Sequence, residues 1–152
     1  MLILEGMQAG LSWLTILNKR VAFREAFDQF DYQKIALYDE TKIDALMQNA
    51  NIVRNRLKIK SAIINAQQFI RIQEEYGSFD AFIWSYVDNK PIHNHFRLEA
   101  EVPAATPLSD KISKDLKKRG FKFVGSTIVY AYMQSIGIVN DHVKRCYLYE
   151  SE

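Results

Sequence analysis

Apolar residues along this chain recur mostly at spacings of three and four, the period of a helix with one buried stripe. Leu14, Leu17 and Val21, then Phe23 and Phe27, form one such stripe. Thr41 stands as an N-cap ahead of Ile43, Leu46 and Met47. Ile59, Ala62, Ile63, Ala66, Phe69 and Ile70 make a longer one, and Ser78 caps a short helix carrying Phe82, Ile83 and Tyr86. Thr106-Pro107 is a start signal, a capping hydroxyl followed by proline at the first helical position. The helix it opens presents Leu108, Ile112 and Leu116 and stops at Gly120, the residue type favoured just past a helix end. Gly125 precedes a further helix with Ile128, Val129, Tyr132, Met133 and Ile136, ending at Gly137. Asn140 or Asp141 is expected to cap a last short helix. All three prolines fall between Pro91 and Pro107, in a stretch of about Asp88 to Thr106 where the periodicity fails, which reads as one long loop. Strict alternation over a strand length is absent, so the predicted fold class is all-α. Met1-Leu2-Ile3-Leu4 reads as the middle of a helix.

A chain of 152 residues with 48% hydrophobic and 25% charged residues suits one globular domain, expected over 1–152. No apolar run reaches bilayer length and no signal peptide is visible, so no membrane role is expected. One cysteine, Cys146, excludes an intrachain disulfide framework and suits a cytoplasmic location. The net charge of +2 decides nothing, and charge matters only where it clusters.

It clusters at one place. The helices expected at Thr106–Arg119 and Ser126–Ile136 are joined by Gly120-Phe121-Lys122-Phe123-Val124-Gly125, giving a helix-hairpin-helix layout over about 107–137. The second helix begins with free backbone N–H groups at the positive end of its dipole, and Ser126 and Thr127 add hydroxyls. Lys117, Lys118, Arg119 and Lys122 lie beside it. Charge alone favours a solvated basic helix end that complements the C-terminal dipole. Glycines, hydroxyls and charges together favour a phosphate site.

Three segments in order, Leu4-Glu5-Gly6-Met7-Gln8-Ala9-Gly10-Leu11-Ser12-Trp13, Leu116-Lys117-Lys118-Arg119-Gly120-Phe121-Lys122-Phe123-Val124-Gly125 and Val139-Asn140-Asp141-His142-Val143, resemble the constitutive type I family of bacterial 3-methyladenine DNA glycosylases. Asn51-Ile52-Val53-Arg54-Asn55-Arg56 and Phe82-Ile83-Trp84-Ser85-Tyr86-Val87 also look like that family. On spacing alone, Trp13 reads as a core aromatic and Glu5 as an exposed helix residue. The resemblance implies more: a helix-hairpin-helix glycosylase fold of two helical lobes with a pocket between them. Such an enzyme flips a damaged nucleotide out of duplex DNA and hydrolyses its base–sugar bond without a covalent lysine intermediate, a step of base excision repair.

By the same resemblance Glu5 is the carboxylate that reads the flipped base and Trp13 the aromatic that stacks on it, a task suited to a cationic base. Gly10 and Leu11 form the turn that approaches the pocket and fills the gap in the stack. Lys118, Arg119, Lys122, Gly125, Ser126 and Thr127 meet the DNA backbone. No aspartate lies between Gly125 and Gly137 to steady a sugar cation, and the nearest is Asp141.

The family also carries a structural zinc. His142 and Cys146, four residues apart, match two of its ligands. His93 and His95 match none. The remaining ligands and a base-contacting tyrosine belong to an opening segment that this chain lacks, so the chain is expected to be N-terminally truncated and not to hold zinc stably. A capping histidine and a buried thiol account for the pair equally well. The expected partner is duplex DNA containing alkylated adenine, met by a monomer. The alternatives are a non-catalytic helical DNA-binding module left by truncation and an all-α interaction domain whose basic hairpin meets an acidic protein.

Overall fold

The structure, a computed structural model, describes residues 1–149; the last three residues of the expected domain lie outside them. Its helices are α1 (Leu2–Gln8), α2 (Trp13–Asn18), α3 (Arg20–Ala26), α4 (Tyr32–Ile35), α5 (Glu40–Gln48), α6 (Arg56–Tyr76), α7 (Phe79–Trp84), α8 (Pro107–Lys118) and α9 (Ser126–Ser135). The all-α expectation holds. Among the described residues the one sheet is a parallel pairing of two dipeptides, β1 (Ile92–His93) with β2 (Val139–Asn140). It pins the long loop to the chain beyond α9. No helix among the described residues is long and apolar enough to cross a membrane.

The buried residues fall into two clusters. One gathers Leu4, Met7, Ile16, Phe23, Phe27, Ile35, Ile43 and Leu46 from the N-terminal helices. The other gathers Phe79, Phe82, Ile83, Ile112, Leu116, Phe121, Val129 and Met133 from α7, α8 and α9. Helix α6 belongs to both, giving Ile59, Ala62, Ile63 and Ala66 to the first and Ile72 to the second. It has the length for this: at about 1.5 Å per residue it runs roughly 30 Å. Asn55 starts it, its side chain accepting from the Lys58 N–H, and Gly77 at φ 83° ends it.

Several boundaries are as the capping chemistry predicts. Ser78 accepts from the Ala81 N–H at the start of α7. Thr106 and Ser109 exchange side-chain-to-backbone hydrogen bonds around Pro107 at the start of α8, and Gly120, at φ 96°, follows its end. Elsewhere the structure corrects the sequence. The cap of α5 is Asp39, not Thr41. The stripe Leu14, Leu17, Val21 is not core: Leu14 and Val21 are 67% and 68% exposed, and Ile16 and Phe23 are buried in their place. The chain breaks at Lys19 into two helices of six and seven residues, so one periodic stripe does not span them.

The last expected helix is absent. The Asn140 side chain accepts from the His142 N–H at 3.2 Å, closing a turn two residues long rather than starting a helix. Asp141 is bound instead by Tyr130, Gln134 and Asn94.

Candidate active site

Helix α1 and the turn after it form a corner facing the second lobe. Gly10 sits at φ 76° with open space around it, so glycine is there for its backbone angle and not for room. Leu11 donates its N–H to the Gln8 carbonyl at 2.7 Å, and Gln8 Nε2 donates to the Leu11 carbonyl at 2.7 Å. Ser12 then caps α2, accepting from the Thr15 N–H. The corner therefore hands the chain from Glu5 to Trp13 through a turn closed by its own hydrogen bonds.

Glu5 is buried, with 5% exposure, which excludes the exposed helix residue that spacing alone suggests. It lines a cavity of about 560 Å³ together with Gln8 and Trp13 on one side and Thr127, Ala131 and Gln134 of α9 on the other. That volume is in the range of small-molecule sites. No hydrogen bond from the described residues engages its carboxylate. Burial pushes the Glu5 carboxyl above its ordinary range, and the Met1 α-ammonium pulls it back in part. A partly desolvated carboxylate to which no described residue donates, open to the cavity, is poised for a cationic or hydrogen-bond-donating ligand. Trp13 is half-buried, packing against the first cluster while bordering the same cavity. The structure thus brings Glu5, Trp13 and Thr127 together.

The two helices and connector read over 107–137 are present. Ser113 Oγ donates to the Val124 carbonyl at 2.6 Å, and the Ser109 and Ser126 hydroxyls lie 2.7 Å apart. Ser126 is thus tied to α8. Besides Gly120, the connector's left-handed position is Phe123, at φ 53°, where glycine is the usual choice. Gly125, the N-cap of α9, has φ −60° and open space about its Cα. The fold itself does not demand glycine there, which suits close approach by a ligand.

Lys114, Lys117 and Lys118 line an open groove of about 520 Å³ leading to Ser126. Arg119 is turned elsewhere. Its guanidinium holds both Glu75 carboxylate oxygens, at 2.6 and 3.1 Å, and lies over the rings of Tyr76 and Phe82.

Asp141 is likewise occupied: its carboxylate accepts from the Tyr130 hydroxyl at 2.5 Å and from Gln134 and Asn94, each at 2.8 Å. His142 Nδ1 and Cys146 Sγ are 3.5 Å apart. Among the described residues no group of three or more His, Cys, Asp or Glu is placed to hold a metal ion. Two ligands do not close a tetrahedral site, so the described residues do not fit a structural zinc.

Sequence reading missed two residues that build the site, Lys58 and Asn65 of α6. Lys58 is buried, and its ammonium donates to the Met7 carbonyl at 2.8 Å and the Ala9 carbonyl at 2.5 Å. Asn65 holds the Lys122 backbone from both sides, its amide donating to the carbonyl at 2.9 Å and its oxygen accepting from the N–H at 2.8 Å. A lysine inside a helix ordinarily marks a solvated face, so no sequence signal pointed to Lys58.

A family model described as methyladenine glycosylase matches residues 1–149. The DNA-3-methyladenine glycosylase of Haemophilus influenzae is 48% identical over 94% of this chain and 77% of its own length. DNA-3-methyladenine glycosylase 1 of Escherichia coli is 46% identical over 98% of this chain and 80% of its own. The solved 3-methyladenine DNA glycosylase I of Staphylococcus aureus, described for its recognition of 3-methyladenine, superposes with a TM-score of 0.95 at 38% identity, covering 99% of this chain and 80% of that one. The expectation of a missing opening segment gains no support from these shares.

Proposed function

The chain belongs to the methyladenine glycosylase family, and we propose that Glu5 and Trp13 form the corner that reads the base it removes. It is a DNA-3-methyladenine glycosylase, an N-glycosyl hydrolase of base excision repair. The observation that carries the site assignment is the buried carboxylate of Glu5, free of donors from the described residues, bordering a cavity between the two lobes beside Trp13.

The chemistry follows from the substrate's charge. Adenine methylated at N3 is a cation while bound to its sugar. Flipped into the cavity, it offers Trp13 a cationic π-face and Glu5 both charge and an exocyclic amino donor. As the C1′–N9 bond breaks, its electron pair passes to N9, the base leaves neutral and the sugar becomes an oxocarbenium ion. Water adds to C1′ and loses a proton. The attraction of Glu5 for the base's charge is therefore greatest before cleavage. It selects the alkylated base over ordinary neutral adenine, while the weak bond of the cation supplies much of the rate.

The duplex is held beside this cavity, at the end of α9 where Thr127 borders it. We assign backbone contact to the start of α9 at Gly125, to Lys118 and Lys122, and to the hydroxyl of Thr127, a helix-hairpin-helix arrangement in which N–H groups and the helix dipole face a phosphate. Gly10 and Leu11 lie at the mouth of the corner, where Leu11 takes the place left by the flipped nucleotide. Ser126 supports the hairpin through Ser109, and Arg119 does so through Glu75.

Fluorescence anisotropy against salt separates these roles. Lys118→Ala and Lys122→Ala are each expected to lower duplex affinity and reduce the salt slope by about one. Arg119→Ala leaves the slope unchanged and costs stability instead. A slope lowered equally by all three variants overturns this division. The site assignment is tested by chromatographic detection of free 3-methyladenine from alkylated duplex. Wild type releases it, and Trp13→Ala loses affinity for the free base while still binding duplex. If Trp13→Ala binds and excises as wild type does, the corner is not the base site.

A further inference from the structure

Helix α6 touches both halves of the machinery without touching the cavity that holds the base. Lys58 reaches the last turn of α1 and the residue before Gly10, bridging two carbonyls that bracket Gln8. The negative end of the α1 dipole and these carbonyls favour an ammonium there. Asn65 lies seven residues on, about two turns and so on the same face, and fixes Lys122 at the centre of the hairpin. Ser61 donates to the Lys58 carbonyl at 2.6 Å between them. The two ends also meet directly: a Cβ built on Gly6 would stand 3.6 Å from the Phe123 Cβ. Lys58 and Asn65 are 6% and 7% exposed, and burial lowers the affinity of Lys58 for its proton. Core packing alone needs an apolar side chain at each position. Two buried polar groups spent on main-chain atoms of functional turns call for another account.

We propose that Lys58 and Asn65 are positioning residues. Through them α6 fixes the separation of the base-reading corner and the phosphate-binding hairpin, so that a duplex anchored at the hairpin presents its flipped base in register with Glu5 and Trp13. The inference rests on the assignment of that corner and hairpin.

The distinction from a purely structural role lies in what each variant leaves intact. Asn65→Leu loosens the hairpin end alone. It is expected to bind free 3-methyladenine as wild type does, followed by intrinsic fluorescence, while kcat for excision from duplex falls by ~10- to 10²-fold, the scale of a displacement of about 1 Å. Lys58→Met disturbs the corner itself, so free-base affinity and excision fall together. Measurements are made well below each variant's Tm. Asn65→Asp keeps the acceptor for the Lys122 N–H and loses the donor, and is expected to fall between; it decides the matter if Asn65→Leu does not fold. Variants that lose Tm but keep wild-type kcat and free-base affinity overturn the proposal. Failure of the assigned corner looks different, since Trp13→Ala would then retain free-base binding whatever the Asn65 variants do.

Discussion

Glu5→Gln is expected to lower kcat/KM for release of 3-methyladenine by ~10²-fold, the scale of losing one charged contact in a desolvated site, while affinity for undamaged duplex is unchanged. Glutamine fills the same volume and keeps an acceptor for the amino group, but removes the charge that distinguishes an alkylated from an ordinary adenine. The same substitution is expected to make the protein more stable. Burial raises the Glu5 carboxyl above its ordinary value, so the folded state holds its proton more tightly than the unfolded chain does. By linkage, that carboxyl favours folding at pH below its unfolded value, and the favourable contribution is lost as pH rises through the folded value. At neutral pH and above, wild type carries a largely desolvated charge to which no described residue donates a hydrogen bond, and the glutamine variant does not. The variant therefore melts at higher temperature at pH 8, and the gap closes as pH falls through the carboxylate range. Calorimetry on both proteins across that range checks this. A variant less stable than wild type at pH 8 means that Glu5 is held by partners in the free protein, against the reading of a site that waits for a cation.

That combination was partly legible in the sequence. The run from Glu5 to Trp13 identified the corner through resemblance, but its burial did not follow from spacing, because a seven-residue helix shows too few turns to reveal which face is covered. The hairpin was legible by chemistry, since Thr106-Pro107, Gly120, Gly125 and Gly137 punctuate α8 and α9 and need no tertiary knowledge. The helices before it were harder. Leu14, Leu17 and Val21 fit a helical stripe, and only the break at Lys19, which has no glycine or proline to announce it, turns them outward. The pairing of Ile92–His93 with Val139–Asn140 joins residues 47 apart through two-residue strands, too short for alternation to appear. Lys58, Asn65 and Arg119 take their roles from partners distant in sequence, and residue type alone does not reveal which lysine or arginine is bound inside and which faces a phosphate.

Asp141 is the sharpest instance, and Asp141→Asn is expected to destabilise the fold by about 1–3 kcal/mol, the cost of weakening a charged hydrogen-bond cluster and opposing part-buried polar groups. As the aspartate nearest to the stretch from Gly125 to Gly137, it is the residue to consider for steadying a sugar cation. Its carboxylate, however, already accepts three hydrogen bonds, from Tyr130 of α9, from Gln134 one turn further along α9, and from Asn94 beside β1. Tyr130 is almost wholly buried, and its hydroxyl is pushed well above the ordinary phenol range by burial and by the Asp141 carboxylate, so it remains a donor at every working pH. With its amide oxygen in the place of Oδ2, an asparagine still accepts from Tyr130 and Gln134, now without charge, and sets its own amide N–H groups against the Asn94 amide. The clasp joining α9 to the long loop then weakens. A loss of this size lowers Tm by about 2–4 °C per kcal/mol in a domain of this length, while kcat measured on the folded protein well below Tm stays close to wild type. A fall in kcat at unchanged Tm returns Asp141 to the reaction. The fold argues otherwise, because a carboxylate already holding three donors has little capacity left for a sugar cation, and the weak bond of a cationic base lessens the need for one.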